Sequence, residues 1–193
     1  MNDFELFIKT GLWHIADITA YDHIIFVIAL CASYYITDWR KVLILITAFT
    51  IGHTITLALS VLNIVVFPVA IIELLIPITI ILTSIFNINE QNKLTLPALK
   101  YGLALFFGFI HGCGFSNYLK TLLGHDESVW FQLLSFNIGI EIGQLLIVSF
   151  SLLLTYIVTQ LFHVEQSKWK IFISGATFGV ALSLFINLLT QNN

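Results

Sequence analysis

The chain has 193 residues, of which 58% are hydrophobic and only 10% charged, with a mean hydropathy of +0.95. A soluble domain of this size cannot hide so much apolar surface, whereas a bilayer accommodates it because lipid is then the solvent. The net charge of −3 and the lack of a basic stripe exclude an obvious nucleic-acid partner.

Residues Met1 to Lys9 carry Asp3 and Glu5 against a single Lys and offer no small-residue cleavage site. No signal peptide is expected there, so the first span acts as its own insertion signal. Phe4, Leu6, Phe7, Ile8, Leu12 and Trp13 suit one apolar side of a helix lying on the membrane surface. A soluble tail is the alternative for the segment 1–17. Six hydrophobic stretches follow, at about 18–36, 42–61, 67–86, 98–118, 130–162 and 169–189. Each is long enough to cross the hydrocarbon, which takes roughly 20 residues. The fold expected is an all-α, polytopic integral membrane helix bundle of one domain, with no internal repeat. Cys31 and Cys113 form no CxxC pair and read as small buried hydrophobes. A Cys113 thiolate could ligate a metal, but it has no partner cysteine.

Lys and Arg set the expected orientation. Arg40, Lys41, Lys93, Lys100, Lys168 and Lys170 lie at the first, third and fifth loops, against Lys9 and Lys120 on the other side. Six against two directs the odd loops to the cytoplasm and both termini outside, which in a bacterial inner membrane is the periplasm.

An ionisable residue inside a span is a functional hypothesis by default. Asp22 and His23 fall in the first span, His53 in the second, Glu73 in the third, His111 in the fourth and Glu141 in the fifth. With the orientation above, all lie in the outer half, roughly 5 to 17 Å below the outer face at 1.5 Å per residue. Imidazoles and carboxylates at one depth suit a divalent transition metal, the carboxylates offsetting its charge. Asn137, Glu141 and Gln144 share one helix face, as do Thr50, His53 and Thr54, so Thr50, Asn137 and Gln144 are candidates to orient the ligands. Gly108 and Gly112, Gly139 and Gly143, and Gly175 and Gly179 are each four apart, a spacing that lets helix backbones approach. The first two pairs flank His111 and Glu141, which argues that those residues face the bundle.

Plainer roles stand beside these. Asp22 could be a helix cap and His23 an interfacial histidine. His53 and His111 could be hydrogen-bonding glue between helices, Glu141 a structural carboxylate, and Glu73 a partner for backbone freed by Pro77. His14 and Asp17 precede the first span at the interface. His125, Asp126 and Glu127 read as a solvated outer loop, and His163 as a cytoplasmic interface residue.

At these residues the sequence resembles the HupE/UreJ family of small membrane proteins. The resemblance rests on His14 with Asp22-His23-Ile24-Ile25-Phe26, and on Gly52-His53-Thr54-Ile55-Thr56-Leu57. It continues through Ile72-Glu73-Leu74-Leu75-Ile76-Pro77, His111-Gly112-Cys113-Gly114-Phe115 and Asn137-Ile138-Gly139-Ile140-Glu141 to Gly143-Gln144. These blocks keep the family's order over positions 14 to 144. The resemblance implies a six-span protein linked to nickel or cobalt uptake, with His14, Asp22, His23, His53, His111 and Glu141 as metal residues. Asp17, Thr50, Glu73, Asn137 and Gln144 are accessory candidates. The spacing departs from the better-studied branch, in which a His-Pro pair sits closer to the Asp-His pair; here Ile15 follows His14. This marks a divergent branch.

The function expected first is a secondary permease for Ni²⁺ or Co²⁺, with a site open to the outer face and pH-dependent uptake, since ligands shed protons on binding. Few polar residues in the inner halves of the spans speak against it. An intramembrane Zn²⁺ hydrolase acting on a lipid or membrane-embedded substrate is the alternative, with a carboxylate as general base, although no HExxH or GxSxG motif is present. A metal-sensing or assembly role is a third. The partners expected are the bilayer, a divalent metal ion and, optionally, further copies of the chain.

Overall fold

A computed structural model describes residues 3–19, 21–89, 97–122 and 129–191. Lys93 and the loop of His125, Asp126 and Glu127 lie outside the described residues. The helices are α1 (Asp3–Ala16), α2 (Asp22–Cys31), α3 (Trp39–Val61), α4 (Val69–Asn89), α5 (Pro97–Gly114), α6 (Ser116–Leu122), α7 (Val129–Tyr156) and α8 (Gln166–Gln191). No strand occurs among the described residues. A 3-10 turn, Ile36–Asp38, leads into α3, and a π-helical turn, Ile157–Leu161, ends α7. Four of these helical stretches are long and apolar enough to cross a membrane: Ile36–Val61, Val69–Asn89, Val129–Leu161 and Gln166–Gln191. With α5 of 18 residues broken from α6 at Phe115 and α2 of only 10 residues, the six-span expectation is met in part.

The bundle is built from helix pairs α3 with α5, α1 with α7, and α4 with α8, and α2 packs among α4, α7 and α8. Glycines make the first two pairs close. A methyl group on Gly52 would drive into the Leu105 carbonyl, one on Gly108 into that of Phe49, and one on Gly112 into that of His53. The backbones of α3 and α5 therefore touch, as small residues permit in a membrane. The same device joins α1 to α7: Gly11 abuts the Phe136 carbonyl and Gly139 that of Ile8. Gly175 and Gly179 meet nothing within 4 Å, so the third glycine pair closes no contact here.

This packing alters the reading of the N-terminal segment. Rather than resting a one-sided apolar face on a surface, α1 lies lengthwise on α7, with Phe7, Gly11 and Ile15 buried. Its direction follows from its contacts. Ile8 meets Gly139 and Leu12 meets Gly143, so α1 runs parallel to α7. Thr54 meets Asn137 and Thr50 meets Gln144, so α3 runs against α7. His23 meets His53 and Phe26 meets Phe49, so α2 also runs against α3. Helices α1 and α2 thus travel in the same sense, with a non-helical break between Ala16 and Asp22.

Candidate metal site

The break delivers two histidines to one place. His14 ends α1 and His23 opens α2, while the α3–α5 glycine contact brings in His53 and His111. Gly108 and Gly112 sit against the backbone of His53 on either side, so the turn that carries His111 is registered on the turn that carries His53. Ligand nitrogens of His14, His23 and His53 all lie within 4.8 Å of one another. The His111 ring stands 5.0 Å from that of His23, centre to centre. His53 and His111 are fully buried, His23 nearly so and His14 half-buried.

Hydrogen bonds assign the tautomers of two of these rings. The Asp22 carboxylate can only accept, so His23 donates Nδ1–H to Asp22 Oδ1 at 3.1 Å and keeps a bare Nε2. The same Oδ1 accepts from the His23 backbone N–H at 2.8 Å. The Thr79 hydroxyl gives its one hydrogen to the Ile76 carbonyl at 2.7 Å. It therefore accepts from His111 Nε2–H at 2.9 Å, which leaves His111 Nδ1 bare. His14 Nε2, His23 Nε2, His111 Nδ1 and both ring nitrogens of His53 are buried without a hydrogen-bond partner. Buried polar groups are normally satisfied; the unpaired nitrogens of His14, His23 and His53 lie close enough to one another to share one ion, with His111 beside His23.

Against the cluster lies a cavity of about 750 Å³. His14, His23 and His111 line it together with Asp17, Asp22, Glu73 and Lys9. Three carboxylates against one ammonium give this cavity a net negative lining, favourable to an entering cation. Phe115 and Phe136 stack with centres 5.3 Å apart beside His14, and Phe26 and Phe49 lie against His111 at 4.9 and 5.2 Å. The aromatic collar lowers the polarity around the rings, which strengthens any ion–ligand interaction there.

The remaining candidates go elsewhere. Glu141 is not in the cluster; its carboxylate accepts from Thr47 at 3.3 Å, and Thr47 precedes His53 on α3 by a rise of roughly 9 Å. Asn137 accepts from Thr54 at 2.5 Å and Gln144 from Thr50 at 2.7 Å. These three form a polar seam between α3 and α7, and the bonds described for them reach no histidine. Asp17 Oδ1 accepts from the Thr19 backbone and hydroxyl, at 2.8 and 2.7 Å, within the break. Glu73 is exposed to the cavity one turn before Pro77. Cys113 is half-buried and bonds the Phe109 carbonyl of its own helix. Thr79 and the four phenylalanines escape a reading of ionisable residues, because a threonine or a phenylalanine in an apolar span carries no signal alone.

The chain is an all-helical, multi-pass membrane protein in which buried imidazoles cluster beside an acidic cavity, a donor set of the kind that suits a transition-metal ion. The family model described as HupE / UreJ protein matches residues 1–189, and the chain belongs to that family, which is associated with nickel and cobalt transport. No curated protein and no solved structure matches the chain.

Proposed function

We propose that the protein is a secondary permease that takes a divalent transition-metal ion, nickel or cobalt, from the outer face of the bacterial inner membrane. The observation that carries this reading is the convergence of unpaired imidazole nitrogens at the base of an acidic cavity. His14, His23 and His53 bind the ion and His111 adds a fourth nitrogen as it moves inward. Asp22 acts through His23, fixing its tautomer and raising its basicity, the usual role of a carboxylate behind a ligating histidine. Asp17 and Glu73 draw the cation in. Glu141, Thr50, Asn137 and Gln144 hold α3 to α7 and so support the site at a distance.

The chain makes six crossings, with both termini in the periplasm, and α1 and α2 form a single interrupted one. Interrupted helices expose backbone and side-chain donors at mid-membrane, and transporters use such breaks as ion sites. The spread of the site over α1, α2, α3 and α5 lets small relative movements of these helices loosen the ligand set and release the cargo.

The test is Co²⁺ or Ni²⁺ uptake by the purified full chain in liposomes, beside the His53→Ala and His111→Ala variants. Saturable uptake by the wild type, abolished in both variants, is the expected result; equal metal entry in all three would overturn the permease. A three-histidine site with one face open to a cavity also matches the ligand arrangement with which zinc activates water. An enzyme of that kind would hold stoichiometric zinc tightly through purification and carry no cobalt.

A further inference from the structure

A second cavity, of about 470 Å³, lies between α2, α3, α4 and α5. We propose that it seats the tails of one anionic phospholipid, whose phosphate lies at Lys100. The site shares no lining residue with the histidine cavity and stands whether or not the protein carries ions.

The walls are suited to hydrocarbon. Leu30, Leu45, Leu103 and Phe107 face the cavity, and its buried polar side chains are bonded to the protein. Thr83 gives its hydroxyl hydrogen to the Thr79 carbonyl at 2.8 Å. Asn87 donates to the Ala29 carbonyl at 2.7 Å and accepts from Ser33 at 3.0 Å. Ordered water needs two to four polar partners, whereas an acyl chain needs none.

The pairing of the helices opens this cavity to the bilayer. Glycines commit α5 to α3, and α4 packs mainly on α8, so α4 and α5 part from each other. Leu82, Ile85 and Phe106 line the cavity and are also exposed on the outside of the bundle. A tail therefore enters sideways from the surrounding lipid.

The dimensions fit one leaflet. The lining runs from Leu82 to Asn89 on α4 and from Lys100 to Phe107 on α5, a rise of roughly 10 Å on each helix. Half of a hydrocarbon core of about 30 Å is deeper than that. A methylene occupies about as much space as a water molecule, roughly 30 Å³, so the cavity holds about fifteen. An extended chain advances about 1.25 Å per carbon–carbon bond, so roughly eight methylenes span its depth. Two tails side by side, as in one phospholipid, fill it.

Charge marks the end where the headgroup lies. Lys100 is the cavity's one charged lining residue and stands with Asn89 at the same end. Its Nζ lies 5.2 Å over the Tyr34 ring, and Arg40 lies 5.2 Å over Trp39. The register that sets Gly108 on Phe49 and Gly112 on His53 brings Lys41 level with Lys100. Lys41 bonds Asp38 at 2.6 Å. Gln166 bonds the Tyr34 carbonyl at 3.5 Å, which brings the start of α8 here, with Lys168 beside Glu165 at 3.7 Å. Among the described residues named at this end, Arg40, Lys41, Lys100 and Lys168 outnumber Asp38 and Glu165. Tyr and Trp beside Lys and Arg are the side chains of the headgroup level, and basic pockets between spanning helices hold anionic headgroups.

The test is native mass spectrometry of the full chain, released from micelles that contain equal amounts of phosphatidylglycerol and phosphatidylcholine with identical tails. The wild type should retain one phosphatidylglycerol, preferred about fivefold, the worth of one lysine beside an anionic lipid. Lys100→Gln, a change at the start of α5, should retain the two lipids equally. Leu103→Trp, which adds bulk inside the cavity, should retain several-fold less of both. Free glycerol phosphate, which has no tails, should displace nothing. A wild type that retains no lipid, or both lipids equally, overturns the site. The same preference persisting in Lys100→Gln overturns the headgroup seat. Retention undiminished in Leu103→Trp, or displacement by glycerol phosphate, overturns the tail seat.

Discussion

The two cavities of this bundle are unlike in chemistry. One, of about 750 Å³, is lined by His14, His23 and His111 and carries Asp17, Asp22 and Glu73 beside Lys9; the other, of about 470 Å³ between α2, α3, α4 and α5, is walled mainly by apolar side chains, with Thr83, Asn87, Asn89 and Lys100 as polar points. The first lining favours a cation, whereas the second, with Lys100 as its only charged group, does not. Helix α5, held to α3 by the glycine contact, serves both, with His111 lining the first and Ala104 and Phe107 the second.

The comparison can be broken most severely at the histidines. His53→Ala removes a fully buried ring with two unpaired nitrogens, and we expect Co²⁺ binding by titration calorimetry to disappear while the protein remains monodisperse. Gly112→Val strikes the scaffold instead: its side chain would displace the His53 carbonyl and the Thr56 hydroxyl, forcing α3 from α5. Overpacking of this kind costs about 1–3 kcal/mol, so a lowered thermal midpoint together with weakened binding is expected. Asp22→Asn leaves His23 in place without its carboxylate, and affinity should fall about 10- to 100-fold, as for other groups that orient a ligating histidine. Glu141→Gln, by contrast, should change binding by less than about twofold, because Glu141 bonds Thr47 and is not part of the histidine cluster. The smallest effect is expected from Gly175→Ala: open space surrounds that glycine, and a change of thermal stability within about 0.5 kcal/mol is the outcome.

Much of the fold could be read from the chain. Apolar runs with polar breaks mark four of the long apolar helices, and the structure has candidate spans at Ile36–Val61, Val69–Asn89, Val129–Leu161 and Gln166–Gln191. The spacing of Gly108 and Gly112 around His111 announced a close helix contact, and the contact is there. The positions of His23, His53 and His111 along their apolar stretches suggested one cluster, and the His23 ring stands 6.0 Å from that of His53 and 5.0 Å from that of His111. Less legible was the start of the chain. Residues 4–13 have a mixed pattern that fits a surface helix, and only the complementary glycines, Gly11 on α1 and Gly139 on α7, pair it with a helix more than a hundred residues away. Nothing local specifies such a pairing. Depth alone also grouped Glu141 with the histidines, although its helix face meets Thr47 on α3. Periodicity gives a residue's face on its own helix, but the neighbour facing it is set by packing of the whole bundle. Thr79 illustrates the converse, since a threonine two residues after Pro77 earns its role only through the histidine beside it.

The most direct measurement is X-ray absorption at the cobalt edge of the full chain loaded with about one equivalent of Co²⁺. Three or four imidazole nitrogens around the ion, reduced by one in His14→Ala and again in His14→Ala/His23→Ala, would match a cargo site at the break between α1 and α2. An ion surrounded by water and carboxylate oxygens alone, unchanged in those variants, would contradict it.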